Sequence, residues 1–259
     1  MQYNLADMTP ENAAAIEPQP AGMGEFSRLT GVFFEPGKTF ADIARRPSWF
    51  VPMVLTVLFG LIFCAVVGQR IGWDNITQQQ MDKRMANMTQ EQRAQAAQGA
   101  ELSRKITPVI VYAAAVIGPA IAYLIAGLVL WGIVAGILSA PVKFGQVFAV
   151  MSYSGLVGVL AAVLMVVVVF LKANPADFDI QHPLMFNAGA LMDPNGPNKF
   201  MFSLASSLDL FTLWRILLIA VGLKAAGGKK LSFGGALFAV VLPWGVYVLI
   251  AATFAGIFG

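Results

Sequence analysis

Charge is what this sequence has least of. Asp, Glu, Lys and Arg together make up 12% of 259 residues, against roughly 25% in an ordinary soluble domain. That density cannot cover a water-solvated surface, which weighs against a soluble enzyme. Cysteine occurs once, Cys64, inside an apolar run, so no internal disulfide can form. Histidine also occurs once, His182, and neither a Ser-His-Asp nor a Cys-His set can be assembled around it. No glycine motif of the phosphate-cradling kind is present. The 17 basic residues exceed the 14 acidic ones only slightly. They are scattered through several loops, which argues against nucleic acid as a partner. Asp177, Asp179 and His182 have the chemistry of a divalent-ion cluster but loose spacing, and they read as a solvated loop. No catalytic residue, metal or cofactor is expected.

What is abundant is apolar surface. Hydrophobic residues make up 58% of the chain, and mean hydropathy is +0.70. Long uncharged runs of this kind are solvated by lipid. Residues 1–25 are polar and lack the basic start and apolar core of a signal peptide, and they read as a disordered tail. Residues 26–48 hold two short amphipathic helices broken at Glu35-Pro36-Gly37-Lys38, with Pro36 suited to a first helical turn. Phe33, Phe34, Phe40 and Ile43 are expected to face lipid or the bundle, and Lys38, Arg45 and Arg46 the headgroups. The membrane domain, 49–259, then carries spans at about 49–67, 106–138, 144–171, 208–225 and 233–258, each near or above the ~20 residues needed to cross ~30 Å. The uncharged run from Ile106 to Val142 would be ~55 Å long as one helix. One long helix bent at Gly118-Pro119 is preferred over two short crossings without a polar turn. The fold class is therefore all-α, a polytopic membrane protein of five transmembrane helices.

Five crossings place the termini on opposite sides. Lys and Arg are tied at eight on each side, with Arg215 inside a span. Close to the helix ends, Arg45, Arg46, Lys143, Lys224, Lys229 and Lys230 outweigh Arg70, Arg104, Lys105 and Lys172. The balance leans to a cytoplasmic N-terminus and an outer C-terminus. Of the two long connections on the outer side, 68–105 should be mostly helical by propensity, its Met81, Met85 and Met88 packing on a neighbour. The other, 172–207, is proline-rich and shaped, and Lys199–Leu208 reads as a short helix in the headgroup plane. Leu130-Trp131 echoes Leu213-Trp214, and Phe144-Gly145-Gln146 echoes Phe233-Gly234-Gly235, the pattern of two related hairpins.

Three groups of residues have a familiar order. The first is Phe33-Phe34-Glu35-Pro36-Gly37-Lys38-Thr39-Phe40-Ala41-Asp42-Ile43, then Arg46-Pro47-Ser48-Trp49 and Pro52. The second is Met151-Ser152-Tyr153-Ser154. The third runs from Ser207-Leu208-Asp209-Leu210-Phe211-Thr212-Leu213-Trp214 to Lys230-Leu231-Ser232-Phe233. From about Arg28 onward the chain resembles the YIP family (Ypt-interacting-protein family) of five-span membrane proteins, in its bacterial branch. The resemblance implies a five-span fold and a cytoplasmic N-terminus in a bacterial inner membrane. Eukaryotic members bind Rab-type GTPases in vesicle traffic, and that role is not carried over to this chain.

Arg215 is the most informative single residue, because arginine at a helix centre costs about 2.5–3.5 kcal/mol on the insertion scale. Counting ~1.5 Å per residue, Tyr112 and Tyr247 come to its level, with Tyr153 and Asp209 as further polar groups. Pro119 and Pro243 free carbonyls in their spans, and Ser152 and Ser154 either line a cavity or bond their own helix backbone. Two function classes stay open. One is a membrane scaffold or adaptor whose partners are the lipid bilayer and other membrane or cytoplasmic proteins. The other is a small transporter or channel around Arg215. A water-filled cavity reaching Arg215 would favour transport, and a dry bundle would favour the scaffold.

Overall fold

The computed structural model describes residues 22–85, 88–172, 184, 186–194 and 196–258. The tail 1–21 and the Asp177, Asp179 and His182 group lie outside the described residues. Among the described residues ten α-helices follow in order: α1 (Glu25–Phe34), α2 (Pro36–Arg45), α3 (Phe50–Arg70), α4 (Trp73–Met85), α5 (Gln90–Trp131), α6 (Phe144–Ser154), α7 (Leu156–Leu171), α8 (Lys199–Ser207), α9 (Leu210–Gly227) and α10 (Phe233–Phe258). Among the described residues no strand occurs, only an isolated bridge between Asn187 and Asp209.

Five helical stretches are long and apolar enough to cross a membrane: Phe50–Arg70, Glu101–Ile137, Phe144–Leu171, Leu210–Lys230 and Phe233–Ile257. The long uncharged run after Ile106 is one helix. It passes through Pro108 and Pro119 and ends in a π-turn, Gly132–Ile137. Its start is fixed by Thr89, which accepts from Gln92 N while the Gln92 side chain accepts from Thr89 N. That reciprocal cap satisfies two donors the helix cannot. The α6–α7 rod is interrupted at Gly155, where a Cβ would collide with the Tyr123 hydroxyl.

The core gathers around α6 and α9. Val147, Val150, Tyr153, Leu223, Phe40 and Ile43 are fully buried. A smaller cluster of Val67, Ile71, Ile76 and Val169 ties α3, α4 and α7 at the opposite end. Val109, Ile117, Ile125, Leu249 and Phe254 are exposed on the outside of the bundle. Such a belt has no water-soluble explanation and fits a lipid-facing surface.

The N-terminal hairpin of α1 and α2 lies along α9. Phe33 stacks edge-on against Trp214 at 5.7 Å, while Phe40 reaches Gly222, eight residues or ~12 Å further along the same helix. The short helix α8 packs along α10, with Phe200 against Gly256. An apolar nine-residue helix gains as much from a neighbour helix as from lipid, and the sequence pattern does not separate the two.

Candidate functional site

The N-terminal hairpin is held by a buried polar network. Arg28 on α1 is 4% exposed and Asp42 on α2 is 2% exposed. Arg28 Nε and Nη2 both lie 2.8 Å from Asp42 Oδ2. Arg28 Nη1 donates to Ser48 Oγ at 2.8 Å and to Glu25 Oε1 at 3.3 Å. Ser48 donates to Glu25 Oε1 at 3.0 Å, and the Tyr153 hydroxyl donates to Glu25 Oε2 at 2.5 Å. Asp42 Oδ1 also faces Arg45 at 3.5 Å. Tyr153 belongs to α6 and is fully buried, so the network joins the hairpin to the bundle. A further clamp comes from Gln146, which donates to the Ala44 carbonyl at 2.7 Å.

Burial alone would raise the Asp42 pKa. The Arg28 hydrogen bond and charge, with a backbone N–H and Arg45, outweigh it and hold the carboxyl below its usual range. Burial likewise opposes the Arg28 charge, and bonds to Asp42 and Tyr153 more than restore it. The pair is therefore ionised and matched, as a buried ion pair must be to persist.

Glu25, Arg28, Asp42 and Ser48 were not among the residues singled out from sequence. A signal was available: Arg28 stands four residues before Val32, and Asp42 three residues after Thr39, so each charge shares a helical face with a buried residue. Of the hairpin residues that were singled out, Phe40 and Ile43 face the bundle and Phe33 is partly covered by Trp214. Phe34 is 85% exposed. Lys38, Arg45 and Arg46 are exposed, and Lys38 pairs with Glu35 at 3.0 Å.

The residues grouped around Arg215 separate. Its guanidinium lies over the Tyr123 ring, 5.1 Å from the centroid, and Nε is buried without a hydrogen-bond partner. Tyr112 instead stacks edge-on with Trp73 at 6.1 Å. Tyr153 belongs to the hairpin network. Asp209 caps α9, accepting from Thr212 N at 2.9 Å. Tyr247 is 69% exposed and lines a cavity with Asp209. Tyr123, three turns beyond Tyr112 on the same face of α5, is the ring that meets the guanidinium. Ser152 donates to its own helix at Phe148 O, 2.9 Å, while Ser154 Oγ is buried without a partner.

The cavity, of about 650 Å³, opens between α7, α8, α10 and the connection before α8, at the junction of α8 and α9. Its lining stops at Phe211 and does not include Arg215. Among the described residues no group of three His, Cys, Asp or Glu side chains is placed to hold a metal ion.

No curated protein and no solved structure matches the chain. The Yip1 domain matches residues 30–255, a stretch that takes in most of the docked hairpin, all five crossings and the cavity between them. With that match spanning nearly the whole chain and five apolar helices in the fold, the chain belongs to the Yip1-domain family of multi-pass membrane proteins.

Proposed function

We propose that this protein is a membrane scaffold or adaptor that presents its N-terminal hairpin to a protein partner at the cytoplasmic face. The observation that carries the reading is the buried Glu25–Arg28–Asp42–Ser48–Tyr153 network. It fixes the inner face of the hairpin and leaves the outer face exposed among the described residues. Phe26, Thr30 and Phe34, one turn apart on α1, are all exposed, as are Lys38, Arg45 and Arg46 on α2. A rigid face carrying aromatic rings beside cations has the composition of an interaction surface. The Yip1-domain family is not an enzyme family, and no catalytic role is proposed.

The orientation belongs to the same reading. Lysines at 224, 229 and 230 and arginines at 45 and 46 crowd one end of the bundle, and this end is assigned to the cytoplasm of a bacterial inner membrane. Cysteine at position 229 should label only from the cytoplasm, and cysteine at position 90 only from outside, in a Cys64→Ser background. Labelling of both from one side overturns the orientation.

The adaptor role is tested by a photo-crosslinking amino acid at positions 26 and 34 in native membranes. A discrete protein adduct that disappears with Lys38→Glu and Arg46→Glu supports it. Adducts to lipid alone sink the protein-adaptor reading. A small transporter is the second reading, favoured by the cavity at the α8–α9 junction. Against it, Ile216, Leu218, Ile219 and Ala220 are closely buried beyond the cavity.

A further inference from the structure

The α8–α9 junction is a break between two successive helices that run along α10. The first stops at Leu208 (φ −83, ψ 64) and the second starts after Asp209 (φ −95, ψ 139). The preceding connection folds back onto the break. Phe186 O accepts from Leu210 N at 3.0 Å, and Asn187 bridges Asp209. Unwound backbone at membrane depth is tolerated only where protein buries it or where it lines a cavity. Here it does line one, and broken helices of this kind are where membrane proteins build binding sites.

The lining chemistry selects the ligand. Asp209 is the one acid among the lining residues. Its Oδ1 accepts from Thr212 N, and none of the described lysines or arginines forms an ion pair with it. Ser203 and Ser206 stand one turn apart on α8, toward Asp209, and Ser206 Oγ is buried with no hydrogen-bond partner. Three rings, Phe202, Phe211 and Tyr247, complete the polar end. A carboxylate with aromatic faces is the combination that binds ammonium groups. Lys199 also lines the cavity, donating to Pro194 O at 3.1 Å and forming no ion pair with Asp209, so the lining suits a ligand whose ammonium meets Asp209 and tolerates an acidic group on the same headgroup. The remaining walls, Ala161, Met165, Ala251 and Ala255, are apolar and suit the body of an amphiphile.

We propose that this cavity binds the ammonium headgroup of an amphiphile, with Asp209 as counterion and Ser206 as hydrogen-bonding partner. The site is independent of the adaptor reading, since it lies on other helices. Two sources share the chemistry: a membrane lipid such as phosphatidylethanolamine, and a free amine.

The test uses full-length protein in detergent. Native mass spectrometry compares phosphatidylethanolamine with phosphatidylglycerol, and a thermal-shift arm uses ethanolamine and choline. Asp209→Asn is the informative variant. Asparagine caps a helix about as well as aspartate, so the fold is kept and only the charge goes. A second variant, Tyr247→Ala, removes an exposed ring. Preferential retention of phosphatidylethanolamine, weakened about tenfold or more by Asp209→Asn, supports the proposal with a lipid source. Stabilisation by ethanolamine or choline that is lost in both variants supports it with a free amine. Equal retention of the two lipids together with no amine effect overturns it. So does binding that Asp209→Asn leaves unchanged.

Discussion

The two polar regions of this molecule differ in how far their groups are satisfied. In the hairpin network Glu25, Arg28, Asp42, Ser48 and Tyr153 bond to one another, and beside it on α2 one buried hydroxyl, Thr39 Oγ1, has no partner. At the α8–α9 junction Ser206 Oγ has none, and Asp209 has no counterion among the described lysines and arginines. A saturated buried network fixes structure, because breaking any member strands the others. An unsaturated one leaves hydrogen-bonding capacity for something outside the chain. The comparison therefore assigns structure to the first region and ligand contact to the second.

The largest expected effect comes from stranding a charge in the saturated region. Asp42→Ala leaves Arg28 buried and unpaired, which should cost about 3–5 kcal/mol. The hairpin should leave α9, and trypsin should then cut after Arg28, which is buried in the intact protein. Replacing both partners, Arg28→Met with Asp42→Leu, should restore protection, because no charge is left unpaired. Protection that survives Asp42→Ala alone would break the comparison. Acid makes the same point by titration. The Asp42 pKa is lowered in the folded state, so the pairing stabilises fully above the ordinary carboxylate value, about 3.9. That stability is lost as pH falls through the lower folded value. Tryptic exposure at Arg28, sampled by brief neutral pulses after acid incubation, should rise only below about pH 4.

A second, smaller effect sharpens how tightly the hairpin is seated. A Cβ on Gly222 would lie 2.5 Å from Val150 Cγ1 and 3.0 Å from Phe40 Cδ1. Both neighbours are fully buried and have little room to move. Gly222→Ala should therefore cost about 1–3 kcal/mol through overpacking, despite alanine's better helix propensity. Gly245, also within a helix, has nothing near its Cβ position, and Gly245→Ala should be neutral or stabilising. Thermal midpoints of the two variants decide it. Equal midpoints would mean that the hairpin is only loosely held.

The number and order of crossings could be read from sequence, because an uncharged run of sufficient length has few other uses. The docking of the hairpin could not. Phe40 and Ile43 make a stripe that suits lipid and protein equally, and the pairing of Arg28 with Asp42, on two different helices, is not set by helix spacing. The cavity was partly visible, since Asp209 and Tyr247 were both marked as polar groups in apolar sequence. A rise per residue gives height along a helix and not which faces meet, and Arg215 faces Tyr123.

Arg215 falls between the two regions and carries the smallest expected effect. Its guanidinium has the Tyr123 ring as a partner at 5.1 Å, but its Nε has no hydrogen bond. A partly desolvated cation–π contact of this kind contributes about 0.5–2 kcal/mol. Against that stands the cost of holding a guanidinium at this depth, which an apolar side chain would not bear. The cost is the larger of the two on these scales, so Arg215→Leu should not destabilise the protein and should be neutral to modestly stabilising. Tyr123→Leu should cost more, because the ring is also part of the core, 6% exposed and packed at Gly155. In the double variant the loss should match Tyr123→Leu to within a few tenths of a kcal/mol of the cation–π coupling, on the scale a double-mutant cycle reads. A loss of several kcal/mol from Arg215→Leu alone would place Arg215 with Arg28, as a member of a saturated network in which its removal strands a buried partner.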